Sequence, residues 1–183
     1  YVAGFPVPEV VQGINAFAIG MREANPKAQV RVLWLNTWFD PAREREAAQA
    51  LINQGADVLT NHSGSPAVPQ VAEEKGVLLL AYQSDMARFA PKAQLAAVTH
   101  HWGGHYTRVV QSVLDGRWSN KPVWGGMADG LVRLSAVSPR KRARSVKISS
   151  DRPAANQASS PFWPRSVNGW RSAHARRKPT AST

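Results

Sequence analysis

The sequence predicts an α/β protein built on an open parallel sheet flanked by helices. Three observations predict it. Short β-branched or continuous apolar runs alternate with segments of helical period. Turn chemistry separates them at Asn25-Pro26, Asp40-Pro41, Gly55 and Gly76. Val77 to Tyr82 is apolar throughout, as expected of a strand buried on both faces of a parallel sheet.

Taken in order, Tyr1-Val2-Ala3-Gly4 reads as the end of a first strand, so a segment upstream is expected to be missing. Val10, Val11, Ile14, Phe17, Ala18 and Met21 then recur as one buried helical face that Asn25-Pro26 ends. Val30 to Leu35 has strand character, and Asp40 followed by Pro41 offers an N-cap and a proline at the first helical position. That second helix is expected to run to about Gln54. Asp57 to Thr60 is a third strand, the turn-rich His62-Ser63-Gly64-Ser65-Pro66 follows, and a helix covers roughly Ala67 to Lys75. Beyond the Val77 to Tyr82 strand, Leu95 to Thr99 is a fifth apolar stretch, Tyr106 to Leu114 an amphipathic helix, and Gly130 to Leu134 a last alternating strand.

In open α/β sheets ligands sit beyond the carboxyl ends of the strands. Those ends are Ala3-Gly4-Phe5, Asn36-Thr37-Trp38-Phe39, Asn61-His62-Ser63-Gly64 and Tyr82-Gln83-Ser84-Asp85, which places the candidate site by topology.

The net charge of +11 resembles a nucleic-acid signature until it is divided along the chain. Residues 1–139 carry 12 basic and 11 acidic side chains, whereas residues 140–183 carry 11 basic and one acidic. The expected organisation is therefore a nearly neutral folded lobe, 1–139, and a basic low-complexity tail, 140–183. In the tail 27 of 44 residues are Arg, Ala, Ser or Pro, and disorder is expected. Its Arg140-Lys141-Arg142-Ala143-Arg144 and Arg176-Arg177-Lys178 leave two alternatives open. One is a segment that binds nucleic acid or an anionic membrane by charge, and the other is out-of-frame translation of a GC-rich gene. There is no cysteine, so disulfides and thiolate metal sites are excluded.

Enzyme chemistry finds no parts: no paired carboxylate motif, nucleophile elbow or phosphate-binding Gly-Lys-Thr loop, and no cofactor is implied. His101 and His105 stand four apart, but no carboxylate lies at a third-ligand spacing, and no metal is assigned.

Several ordered motifs in Tyr1 to Leu134 carry a family resemblance. They are Tyr1-Val2-Ala3-Gly4-Phe5-Pro6-Val7-Pro8-Glu9-Val10, Gly13-Ile14-Asn15-Ala16-Phe17, Trp38-Phe39-Asp40-Pro41, Gln54-Gly55-Ala56-Asp57-Val58, Glu73-Glu74-Lys75-Gly76-Val77, Ser84-Asp85 and Val98-Thr99-His100. The chain resembles the basic membrane protein family of ABC-transporter solute-binding lipoproteins, which includes purine-nucleoside receptors. The resemblance implies one lobe of a type I periplasmic-binding-protein fold, here the second lobe with its hinge crossover and without the first. It further implies a small-molecule purine ligand, a transporter permease as partner, a monomer, no specific nucleic acid, and a periplasmic or membrane-anchored location. Without a signal segment the chain as given would stay in the cytoplasm. The Tyr106 to Leu114 helix would normally pack toward the first lobe, so an exposed apolar face including some of Val109, Val110 and Val113 is expected.

By the same resemblance the ligand-binding residues are Trp38, Phe39, Tyr82, Gln83, Ser84, Asp85 and His100. Trp38 would stack on a purine, the alternative being that Trp38 or Phe39 plugs the core. Ser84 and Asp85 would bond the ligand's polar edge, the alternative for Asp85 being a turn-stabilising role. Gln83 stands where nucleoside receptors have an aspartate, and His100 where they have a lysine. Both changes remove charge and leave paired donors and acceptors, which favours a free purine base, adenine first, over a nucleoside.

Overall fold

Val2 and Ala3, both buried completely, form the short strand β1 (Val2–Ala3) at the centre of the computed structural model, which describes residues 1–138. β1 pairs in parallel with β2 (Leu33–Trp34) on one side and with β4 (Asn61–His62) on the other. Bonds continue past these strands, from Leu35 N–H to the Ala3 carbonyl at 2.8 Å and from Asn36 N–H to the Gly4 carbonyl at 2.9 Å.

The chain stays extended past the expected third strand, Asp57 to Thr60, and divides its pairing. β3 (Val58–Leu59) pairs with β5 (Leu78–Gln83), while β4 pairs with β1, and only Thr60 separates the two. Read across that run, the order is β2, β1, β3 with β4, β5, then β6 (Gln94–His100) and β7 (Val132–Leu134). β6 is parallel to β5, and β7 is antiparallel to β6. The last strand therefore departs from the all-parallel expectation. The chain returns to the sheet beside the point where β6 left it, with His101 N–H bonded to the Leu131 carbonyl at 2.8 Å, so the new strand must run back down.

Helices cover both faces. Because side chains alternate along a strand, Tyr1 and Ala3 face α1 (Pro8–Ala24), which buries Val10 and Ile14 against them. Val2 faces the other way, into the larger core with Leu35, Leu51, Leu59, Val68, Val71 and Leu79. That core takes in α2 (Pro41–Asn53), capped by Asp40, and α3 (Ala67–Lys75), closed by Gly76 at φ 68°. The left-handed turn at Gly76 needs a residue without Cβ strain, which glycine supplies. The 30–35 segment is shorter as a strand than expected, because it is an edge whose partner β1 has two residues.

α4 (Gly103–Leu114) starts three residues before the expected Tyr106 and buries no side chain. Val110 is 58% exposed, Val113 57% and Leu114 75%, whereas Val109 is half-buried. An apolar stripe open to water is what the family resemblance implies for this helix. The basic stretch 140–183 and the expectations attached to it lie outside the described residues.

Leu79→Ala, in the centre of the larger core, is expected to lower unfolding stability by about 2–5 kcal/mol. Val113→Ser on α4 is expected to change it by less than about 0.5 kcal/mol. Urea denaturation of both variants measures the contrast.

Candidate functional site

The sheet order reverses direction between β1 and the 58–62 run, and at such a point the loops leaving neighbouring strands diverge and open a crevice. A cavity of about 240 Å³ lies there, lined by Glu9, Trp38, His62, Ser63, Gly64 and Gln83. It sits at the carboxyl edge of the strands.

Local backbone chemistry delivers Trp38 to it. Asn36 adopts φ 55°, a left-handed conformation that asparagine tolerates, and this turns the chain out of β2. The indole then lies on Gly4: a Cβ there would stand 2.5 Å from its Cε3. Phe5 meets the indole edge-on at 5.2 Å between ring centroids. The Trp38 carbonyl accepts the Gly64 N–H at 2.7 Å. Trp38 remains 43% exposed, so it is not a core plug; Phe39, 63% exposed, borders Gly64 from outside.

A buried polar network ties the two loops together. Glu44, fully buried, accepts from the Ser63 hydroxyl at 2.8 Å and from the Asp40 N–H at 3.3 Å. Asn61 Nδ2 donates to the Ser63 carbonyl at 3.2 Å. Burying a carboxylate is costly unless its oxygens are bonded, and here both are engaged. Glu44 thus fixes the spacing between the loop bearing Trp38 and the loop bearing His62.

From His62 a chain of rings runs strand by strand along the sheet edge. His62 lies 5.9 Å from Trp38 and 4.8 Å from Tyr82, Tyr82 lies 5.2 Å from His100, and His100 lies 6.2 Å from Trp102. Burial pushes His62 below the ordinary histidine value, with Glu9 opposing and His100 assisting. Burial, then His101, does the same to His100. Both rings are therefore neutral at pH 7, each offering one donor and one acceptor. His62 Nδ1 is buried and has no hydrogen-bond partner among the described residues. Burial, then Glu9, holds the Tyr82 phenol above its ordinary range.

Gln83 reaches the cavity from a left-handed backbone, φ 70°, rare for a residue with a side chain and often retained where a site needs it. Ser84 and Asp85 do not line the cavity. Asp85 Oδ1 accepts from the Ala87 N–H at 2.8 Å and from Gln94 Nε2 at 2.9 Å, and these bonds hold its carboxyl below the ordinary range. They are the bonds of the turn-stabilising alternative. The structure thus brings Trp38 and Gln83 to the cavity, joins Tyr82 and His100 to it through ring contacts, and leaves Phe39 at the rim.

Of the residues lining the cavity, sequence reasoning did not name Glu9, His62, Ser63 or Gly64 as ligand-binding. His62-Ser63-Gly64 was legible as a strand end, while Glu9 read only as part of the turn that opens a helix. Among the described residues no group of three or more His, Asp or Glu is placed to hold a metal ion. His101 instead bonds Thr99 Oγ1 at 2.9 Å, and His105 packs on Trp102.

The model of the family described as ABC transporter substrate-binding protein, PnrA-like, matches residues 1–157. The chain belongs to this family. A purine-binding protein of Brucella abortus (strain 2308) is 47% identical over 135 residues, covering 74% of this chain and 39% of that protein. A protein of Haloferax volcanii, named as an ABC transporter glucose-binding protein, is 41% identical over 139 residues, covering 76% and 36%. The chain thus spans under two fifths of the length of the curated relatives it matches. Among solved structures, a solute-binding protein of an ABC transporter system from Conexibacter woesei superposes with a TM-score of 0.60 at 18% identity, covering 75% of this chain and 46% of that one. At that identity the likeness speaks for the fold. Among the described residues no helix is long and apolar enough to cross a membrane.

Two outcomes follow from this geometry. Gly4→Ala is expected to cost about 1–3 kcal/mol by crowding the indole, and most of that cost should vanish in a Trp38→Ala background, as urea denaturation of the four proteins would measure. His62 and His100 bind fewer protons folded than unfolded, so the stability they contribute is complete above about 6.5 and is lost as pH falls through their lowered folded values. Denaturation curves between pH 8 and 5 should show this loss, and His62→Gln should reduce it.

Proposed function

We propose that this chain forms one wall of the ligand site of a solute-binding protein serving an ABC importer, and that the ligand is a purine base or nucleoside, adenine first. The observation that carries the reading is Trp38: a half-exposed indole seated on Gly4 at the switch point of the sheet, beside neutral hydrogen-bonding groups. A flat heterocycle offers a π-face to the indole and donor and acceptor edges to Gln83 and the neutral His62. His100, continuous with them through Tyr82, extends the same uncharged surface, and Phe39 flanks the indole at the rim. The 47% identity to a purine-binding protein supports this ligand class. Asp85 acts here by shaping the turn after β5, anchored to Gln94.

The intact protein works outside the cytoplasm, anchored at the membrane, and closes this lobe and the first over the ligand before engaging the permease. The exposed stripe of α4 is the surface that meets the rest of such a protein. Its role is binding rather than catalysis. A sugar ligand is the second reading, favoured by the 41% identity to a protein named for glucose and by the ability of an indole to pack on a sugar ring.

In the intact protein Trp38→Ala is expected to weaken adenine binding by about 1–3 kcal/mol, the value of one base stacked on one aromatic side chain, while Trp38→Phe retains most of the affinity. Calorimetry with adenine, inosine and glucose tests the ligand. Tight inosine binding with none for adenine would overturn the preference for a base, and glucose binding alone would favour the sugar reading.

A further inference from the structure

Switch-point crevices of doubly wound sheets hold phosphates when the first helix opens with free N–H groups after a glycine-rich turn. In this chain that helix start is built in the opposite sense. The turn after β1 reads Phe5-Pro6-Val7-Pro8-Glu9, and two of its residues are prolines without an N–H. The Val7 N–H is spent on the Phe5 carbonyl at 2.8 Å, and the Val10 N–H on the Val7 carbonyl at 3.1 Å, so of the first-turn donors the chain withdraws Pro8 and Val10. Glu9 then places a carboxylate on the first turn of α1, in the lining of the cavity.

The charge around the cavity points the same way. Of the six residues lining it, only Glu9 is charged at neutral pH, since His62 is held neutral by burial. After burial, the larger cause in each, the Glu9 carboxylate pushes the pKa of both His62 and Tyr82 upward, one on each of two neighbouring strands. Arg43, near the same loops, bonds the Leu35 carbonyl and pairs with Asp40.

We propose that Glu9 is a specificity-determining residue that excludes phosphorylated ligands and restricts the site to uncharged or cationic ones. This deepens, and rests on, the reading of the cavity as the ligand site. A carboxylate facing a phosphate ester adds repulsion to the loss of backbone donors, whereas a base N–H or a sugar hydroxyl finds an acceptor in it. Phosphate esters then become available to the protein only after a phosphomonoester hydrolysis outside the cell.

The test compares adenosine with AMP by calorimetry in the intact protein and in Glu9→Gln and Glu9→Lys, with urea denaturation to confirm that all three are folded. The expected result is that wild type binds adenosine and discriminates strongly against AMP. Glu9→Gln should narrow that gap by at least about fivefold and Glu9→Lys by more, whatever each substitution does to adenosine affinity itself. AMP bound by wild type as tightly as adenosine, or a gap unchanged in both variants, overturns the proposal. If no purine binds, the purine reading has failed by itself, and glucose against glucose 6-phosphate reads Glu9 with the same criteria. If neither neutral ligand binds, inorganic phosphate decides: binding gained in Glu9→Lys over wild type supports the role of Glu9, and none gained overturns it.

Discussion

The parallel pairing of β1 with both its neighbours is the constraint on which the rest of the molecule depends. Val2 and Ala3 are only two residues, yet one faces the α2 and α3 layer while the other faces α1. Their backbone groups bond Thr60 and Leu33 on one pleat and His62 and Leu35 on the next, directly or through Tyr1 and Gly4. A strand so short holds its place because it is buried on both faces and paired on both edges. The divergence of α1 from the 58–62 run on either side of it opens the crevice.

The crevice is then furnished by residues whose backbones have given up regular strand geometry. Asn36 and Gln83 take left-handed conformations at the carboxyl ends of β2 and β5, and each redirects its loop at the point where the sheet stops supplying partners. Such conformations persist only if the surroundings hold them. Close approach of Trp38 to Gly4, the Gly64 to Trp38 backbone bond and the buried Glu44 network do so on the β2 side. On the β5 side Asp85 and Gln94 perform that service. The loops are therefore preorganised, which reduces the ordering that a ligand would have to impose.

Electrostatics gives the site its character. Burial keeps His62 and His100 neutral, the one carboxylate lining the cavity sits at the start of α1, and the basic residues of the described chain are engaged elsewhere or lie away from the lining, as Arg45 does in its bidentate pairing with Glu74. A surface of rings, amide and imidazole with one acceptor charge matches the flat, uncharged ligand proposed for it. The belonging of the chain to the PnrA-like substrate-binding family is consistent with that character.

The alternation of elements, their caps and the strand edge at which the cavity opens were legible in the sequence, because hydrophobic period, Asp40-Pro41 and Gly76 act locally. Trp38 and Gln83 were legible too, since a strand end is a site by topology and needs no long-range information. Glu44 was not: it lies on a helix beside charged residues and shows no sign of burial until Ser63, 19 positions away, is folded against it. The reversal of β7 and the split of the 58–62 run were equally hidden, since a strand's direction and partners are set by where the chain re-enters the sheet. The sequence by itself determined a near-neutral α/β lobe with aromatic and amide groups at its carboxyl edge. Tertiary structure alone decided that Glu9, His62 and Trp38 share one cavity, because only packing across β1 brings a helix start and two strand ends from opposite sides of the switch point into contact.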